Sequence, residues 1–392
     1  MSSNEVIVTG AAITPFNRRK DGTGFRDWAA MAFDNAVAMA NIEIKEIDAL
    51  FVASESDFFS MQLNPAAVLA SELGLTGVAA TRCEGGGASG QVAVQAAARL
   101  LQATEARHVA VVGVDPSASS LSGDAIRALY GYSFDTWTDG MTGINSTALY
   151  ALSYQAFTAQ FHTSEESLAT VTMQNRKNAC ENPNAHLPRQ DTIQEINASP
   201  FIASPYRRLH CSPLSDGAAA LILSRHKNTP RSRANAPQII GMGAATDHMH
   251  LGARSDPGLF KAKTQAMQSA CTEAGIKPTD VRLAEVYDAY AGAQLQALTA
   301  LGLTNSPASD LMNGNFRPGG DCPVNLSGGL MGQGAPVGAT GVAQVVTCAQ
   351  ILEGCYHSNL QLSNPPKYAL ADTHGGVCTT AAVTILSQGN AA

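Results

Sequence analysis

Short unbroken apolar runs alternate along this chain with stretches whose apolar residues recur at helical spacing. Residues 6–12 (V-I-V-T-G-A-A) read as a strand entering the core, 24–40 as a helix, 49–53 as a strand and 65–73 as a helix. A knot of three glycines, Gly85 to Gly87, opens an Ala-rich helical stretch that runs to residue 103. Residues 108–115 (H-V-A-V-V-G-V-D) have the pattern of a strand buried on both faces. Residues 116–215 are richer in Ser, Asn, Pro and aromatics, with helical pieces at 146–161 and 165–178, and read as one long excursion carrying binding surface. Strand pattern returns at 216–224, and the polar, Pro-bearing segment 225–237 suits a linker.

Beyond the linker the order repeats. A strand at 238–246 precedes a helix at 258–274, and a strand at 283–287 precedes a helix at 290–301. A second glycine-rich loop, Gly328 to Gly341, opens a helix at 342–352, and strands follow at 367–372 and 379–386. Matching strand–helix order and matching glycine-loop–helix units imply an internal duplication, with halves 1–230 and 231–392. Hydrophobic strands alternating with apolar helices predict an α/β fold with sheets covered on both faces.

With 392 residues, 45% hydrophobic and 15% charged, the chain can bury a large core. Its net charge of −7 and lack of a basic block argue against nucleic acid or an anionic membrane surface as partner. No apolar run reaches transmembrane length, and the first residues lack the pattern of a signal peptide. The eight scattered cysteines have no C-x-x-C spacing, so reduced thiols in a cytoplasmic protein and no metal site are expected.

The knot carries the candidate chemistry. A helix whose free N–H groups point past a glycine turn suits a thiolate, an anion or a developing oxyanion. Gly85, Gly87 and Gly90 satisfy G-x-G-x-x-G, but the dinucleotide fingerprint requires an apolar strand directly before it, and Thr81-Arg82-Cys83-Glu84 is a poor one. Arg82 to Gly90, R-C-E-G-G-G-A-S-G, instead resembles the nucleophile loop of the thiolase superfamily, commonly R-V-E-A-A-C-A-S-G. The alignment puts the family's catalytic cysteine on Gly87, with Cys83 four residues early. Gly328 to Gly341 resembles the family's histidine loop, with Ala335 where the histidine belongs. The resemblance covers nearly the whole chain and implies a duplicated thiolase fold layered α-β-α-β-α.

Covalent transfer through a cysteine needs both missing groups. Tyr287-Asp288-Ala289-Tyr290 stands where thiolases carry N-E-A-F, and a Y-D-A-[FY] motif without the cysteine is similar to sterol-carrier-type, thiolase-like aldolases. That resemblance implies retro-aldol cleavage of a bulky β-hydroxyacyl-CoA, such as a steroid side-chain thioester. The expected roles are Tyr287 as base, its pKa lowered by a neighbour, and His374 as acid. Backbone amides of Gly87 and Gly376 hold the enolate oxygen, in a space enlarged by loss of the cysteine side chain. Substrate-binding positions are expected at Asp288, Ala335, Ser327, His248 and Cys378, the last also competing with His374. His248 and His250 read as a substrate-channel loop rather than a metal pair, and Arg207 and Arg208 as solvated surface. No cofactor is expected beyond acyl-CoA as substrate. The resemblance further implies a homodimer, with an OB-fold or zinc-ribbon protein as an additional partner. An acyltransferase without a covalent intermediate and a silent scaffold subunit are the rival readings.

Overall fold

The computed structural model describes residues 5–18, 22–356 and 359–389. Its strands are β1 (Val6–Ile13), β2 (Ile47–Ala53), β3 (Ala79–Cys83), β4 (His108–Pro116), β5 (Phe201–Ala203), β6 (Tyr206–Arg207), β7 (Asp216–Arg225), β8 (Gln238–Thr246), β9 (Ala284–Glu285), β10 (Tyr368–Gly375) and β11 (Thr380–Ser387). Nine of them hydrogen-bond in the order β3-β2-β4-β7-β1-β8-β11-β10-β9, while β5 and β6 form a separate hairpin. At the centre of that order β1 meets β8 through the pairs Val6–Ile239 and Ile7–Gln238. The array is therefore two sheets joined at a short edge.

Each sheet repeats the same pairing. In the first, β2 runs parallel to β4, and β7 is antiparallel to both β4 and β1. In the second, β9 runs parallel to β10, and β11 is antiparallel to both β10 and β8. The counterpart of the β2–β3 pair is a parallel bridge between Ala284 and Val324. The repeated order read from the sequence corresponds to a repeated topology.

Hydrophobic packing separates three helical layers. Helices Phe25–Ala40 and Pro65–Glu72 pack on Leu50, Val52, Ala110, Val112, Ala220 and Ile222 of the first sheet. Helices Lys261–Ala274 and Ala291–Ala300 pack on Leu370, Val383 and Ile385 of the second. Helices Ser89–Ala103 and Val337–Glu353 lie between, on Val109, Val111, Leu221 and Leu223 on one side and Ala369 and Ala371 on the other. Alternating strand residues face opposite layers, which explains the continuous apolar runs. The result is the expected α-β-α-β-α stack. The two central helices cross at Gly90 and Gly341, where a Cβ on Gly90 would lie 2.7 Å from Gly341 Cα. Backbones this close exclude any side chain at the crossing.

Several boundaries differ from the sequence reading. Thr81 to Glu84 read as a poor strand, yet Thr81, Arg82 and Cys83 belong to the edge strand β3, which only β2 pairs along its length. The helix expected at 342–352 begins at Val337, inside the loop, because Pro336 fits the position before a first turn. The strand expected at 283–287 shortens to Ala284–Glu285, since Val286, Tyr287 and Asp288 leave the sheet, Val286 for the core and Tyr287 for the site.

Candidate active site

The glycine knot sets the geometry. Gly85 N–H donates to Ser89 Oγ (3.0 Å), Ser89 Oγ donates to Gly86 O (2.6 Å) and Gly86 N–H donates to Glu84 Oε1 (2.8 Å). Ala88 N–H donates to Gly85 O and Ser89 N–H to Gly86 O, which leaves Gly87 N–H outside the turn's own bonding. The helix Ser89–Ala103 stands directly behind it and adds its positive end.

Gly87 itself does not hold a left-handed backbone. What forbids a side chain there is a neighbour: a Cβ would lie 2.5 Å from the Tyr287 hydroxyl and 2.3 Å from His374 O. The space expected to be free for substrate is therefore taken by the phenol of Tyr287. Tyr287 and Ala335 pack with Leu330. All three line a cavity of about 400 Å³ whose wall also includes Gly87, Glu55, Tyr130, Tyr150, Tyr290, His374 and Gly376. A second cavity, of about 240 Å³, lies across the knot and shares Glu55, Tyr130, Ser133 and Gly376 with the first.

The electrostatics revise two expected roles. Burial pushes the Tyr287 phenol well above its ordinary value, and the Glu55 carboxylate adds to the shift. No neighbour lowers it, so Tyr287 sits in the cavity as a neutral hydrogen-bond donor. His374 lies at the end of β10, fully buried, with its ring centroid 4.7 Å from that of Tyr287. Its Nε2 is 2.8 Å from the Tyr150 hydroxyl, and Lys263 Nζ lies 3.1 Å from its Nδ1. Burial, followed by Lys263 and Arg254, holds the imidazole well below its usual pKa. Since the lysine donates to Nδ1, the proton of the neutral ring sits on Nε2 and points at Tyr150. Tyr150 in turn donates to Gly376 O, and Lys263 is paired with the buried Asp372. This network clamps His374 and ties the loop carrying Gly376 in place; it does not free the ring as an acid.

Four of the five expected substrate positions lie elsewhere. Asp288 is fully buried and accepts from Leu330 N (2.7 Å), Met331 N (3.4 Å) and Asn175 Nδ2 (2.7 Å). Ser327 donates to Glu285 Oε2 (2.5 Å) and accepts from Gly329 N (3.0 Å). Both residues brace the second glycine loop, because a loop buried this deeply must find partners for its backbone N–H groups. Cys378 is enclosed in the core between the outer helices and the second sheet, where burial pushes its thiol up to about 12. His248 is exposed on the loop after β8, and its neighbour His250 is paired with Asp139 (2.7 Å). Ala335 does line the cavity. Cys83 is buried in β3 with its thiol pushed up to about 11, as suits a packing residue.

Residues missed in the sequence complete the site. Tyr130 and Tyr150 come from the excursion, where nothing in their spacing distinguishes them. Glu55 had a legible signal, since it follows β2 at the carboxyl end of a parallel strand. Burial, then the neighbouring Asp115, pushes its carboxyl up to about 8. Among the described residues no group of three or more His, Cys, Asp or Glu side chains is arranged to hold a metal, and no helix is long and apolar enough to cross a membrane.

A duplicated α/β architecture with two central glycine-loop helices defines the class. The model of the thiolase N-terminal domain matches residues 6–194, and that of the thiolase C-terminal domain-like family matches 243–388. The chain is 31% identical to an acetyl-CoA acetyltransferase of Methanothermobacter thermautotrophicus, over 98% of this chain and 100% of that protein. It is 26% identical to sterol carrier protein 2 of Gallus gallus, over 89% of this chain and 66% of that one. The solved Ltp2-ChsH2(DUF35) aldolase superposes with a TM-score of 0.84 at 22% identity, covering 99% of each chain. The chain belongs to the thiolase superfamily, near its sterol-carrier-type branch.

Proposed function

We propose that this protein is a cysteine-independent C–C lyase that cleaves a β-hydroxyacyl-CoA with a bulky tail into a ketone and a shorter acyl-CoA. One observation carries the reading: the Tyr287 phenol occupies the place a cysteine side chain at Gly87 would take. A thioester cannot form there, and Ala335 supplies no imidazole to activate one. What remains is what a retro-aldol step uses. The Gly87 amide and the helix behind it favour a thioester enolate oxygen, and Gly376 is the expected second donor. A neutral phenol beside them donates a hydrogen bond to the reacting oxygen. The polar end of the substrate meets this cluster, and the mainly apolar cavity beyond it suits a branched acyl tail. Such chemistry needs no cofactor. A steroid side chain suits the bulk of that tail, the likeness to the Ltp2-ChsH2(DUF35) aldolase favours a partner subunit, and a two-fold homodimer is proposed beside it.

The acetyltransferase relatives favour the rival, acyl transfer without a covalent intermediate. Incubation with tertiary β-hydroxyacyl-CoA esters, with ketone and acyl-CoA release followed by mass spectrometry, separates the two. Tyr287→Phe, which removes one hydrogen-bond donor to the reacting oxygen, should cut cleavage ~10²–10³-fold while changing stability by only ~1 kcal/mol. Cleavage at an unchanged rate would make Tyr287 a packing residue. Acyl exchange between CoA esters without ketone release would favour the acetyltransferase reading.

A further inference from the structure

Glu55 stands where the two cavities meet, in the walls of both. Its Oε2 is buried, and the Tyr130 phenol stands close enough to hydrogen-bond the carboxyl. The carboxylate next to it is differently placed. Asp115 of β4 accepts from Ser54 Oγ (2.8 Å), Glu55 N (2.9 Å) and Gly338 N (2.6 Å), and so fastens the end of β2 to the second glycine loop. Asp115 is occupied by structure; the Glu55 carboxyl meets the Tyr130 phenol and otherwise faces the two cavities. The groups facing it are Asp115, Glu84 of the knot, and the phenols of Tyr130 and Tyr287. The nearby cation, Arg82, is turned to Ser54 O and Asp57. A carboxyl that meets one phenol and borders two cavities keeps acceptor capacity for a ligand.

From this placement we infer that Glu55 takes the proton of the substrate's β-hydroxyl and returns it to the enolate, an assignment that rests on the lyase reading above. In the first step the Glu55 carboxylate accepts the hydroxyl proton. The O–H electron pair forms the ketone C=O at Cβ, the Cα–Cβ bond breaks, and its pair moves to the thioester as an enolate. In the second step the protonated Glu55 gives that proton to Cα. One proton leaves and returns, so no further reactant is needed. A carboxyl that titrates at about 8 is well matched to do both near neutral pH. It also relieves Tyr287 of a role that its raised pKa opposes.

The test is Glu55→Gln in the full chain, with Glu55→Asp beside it. Glutamine copies the protonated carboxyl in shape, so a purely structural Glu55 would survive the change. The expected result is a thermal midpoint near that of the wild type and ~10²–10⁴-fold slower release of ketone from tertiary β-hydroxyacyl-CoA esters. Glu55→Asp should restore part of the rate. Wild-type kcat/KM should rise with pH and level off above about 8, and Glu55→Gln should lose that limb. A second readout is exchange of Cα protons of propionyl-CoA in D2O, which wild type should catalyse and Glu55→Gln should not. If Glu55→Gln matches wild type in an assay where wild type works, the assignment falls alone. If wild type neither cleaves nor exchanges, the lyase reading falls and takes the assignment with it.

Discussion

The two glycine loops of the duplicated fold share a plan and differ in what surrounds them. Residues 85–90 present Gly87 to a cavity, in a turn held by the buried Ser89 and the exposed Glu84. Residues 328–336 are buried throughout and wrapped by Asp288, Ser327, Asn175 and Glu285, none of which lines the cavity. The first loop leaves the Gly87 amide open to the cavity, whereas bracing groups take up most amides of the second. Polar residues of the second half therefore act as scaffold, although their sequence positions beside the family's motifs suggest substrate contacts. The chemistry gathers instead at the ends of β2, β9 and β10, around the first loop.

This contrast can be broken at its centre. Gly341→Val places side-chain atoms where a single Cβ would already lie 2.6 Å from Gln91 N. Both backbones are helical and cannot give way, so the expected cost is ~4 kcal/mol or more. Chemical denaturation of the purified variant measures it. A midpoint close to wild type would mean that the central helices separate easily and that the two loops are not held in fixed register.

Gly87→Cys tests the open loop. Returning the family's sulfur to its place forces Tyr287 or the His374 carbonyl to move, at an expected ~1–3 kcal/mol. Acyl-CoA should leave no thioester on the new cysteine, because its position is obstructed and no histidine replaces Ala335. Intact-mass spectrometry after incubation reads this directly. A stable acyl adduct would show that Tyr287 swings aside and would revive the acyltransferase reading.

Asp288→Asn tests the closed loop with the smallest effect. Burial pushes the Asp288 carboxyl up to about 8 in the folded chain, against an ordinary value of about 3.9. The folded state thus keeps a proton that the unfolded state releases, and the stability contributed is fully present below about 4. It is lost progressively as pH rises from there to about 8. Asparagine still offers an acceptor to Leu330 and Met331 and cannot ionise, so its unfolding midpoint should fall less over that window. Equal slopes for both proteins would place the ionised form in the fold.

The architecture is legible in the residue pattern alone. Apolar periodicity separated strands from helices, and their repeated order, from 6–116 and again from 238–387, implied the duplication that the sheet pairing displays. The residue pattern also located Gly87, Ala335 and Tyr287, because two missing groups stand out against intact flanking glycines. Local patterns carry such information because they reflect which face of each element is buried. What a polar side chain meets is decided by elements far away in the chain. Asp288 is answered by residues 175 and 330, His374 by Tyr150 and Lys263, and Gly87 by a phenol two hundred positions on. Whether a carboxyl is braced by backbone amides, as Asp115 is, or turned to a cavity, as Glu55 is, depends on those partners. So does the direction in which burial moves its pKa, because desolvation acts on a position in space and not on a position in the sequence.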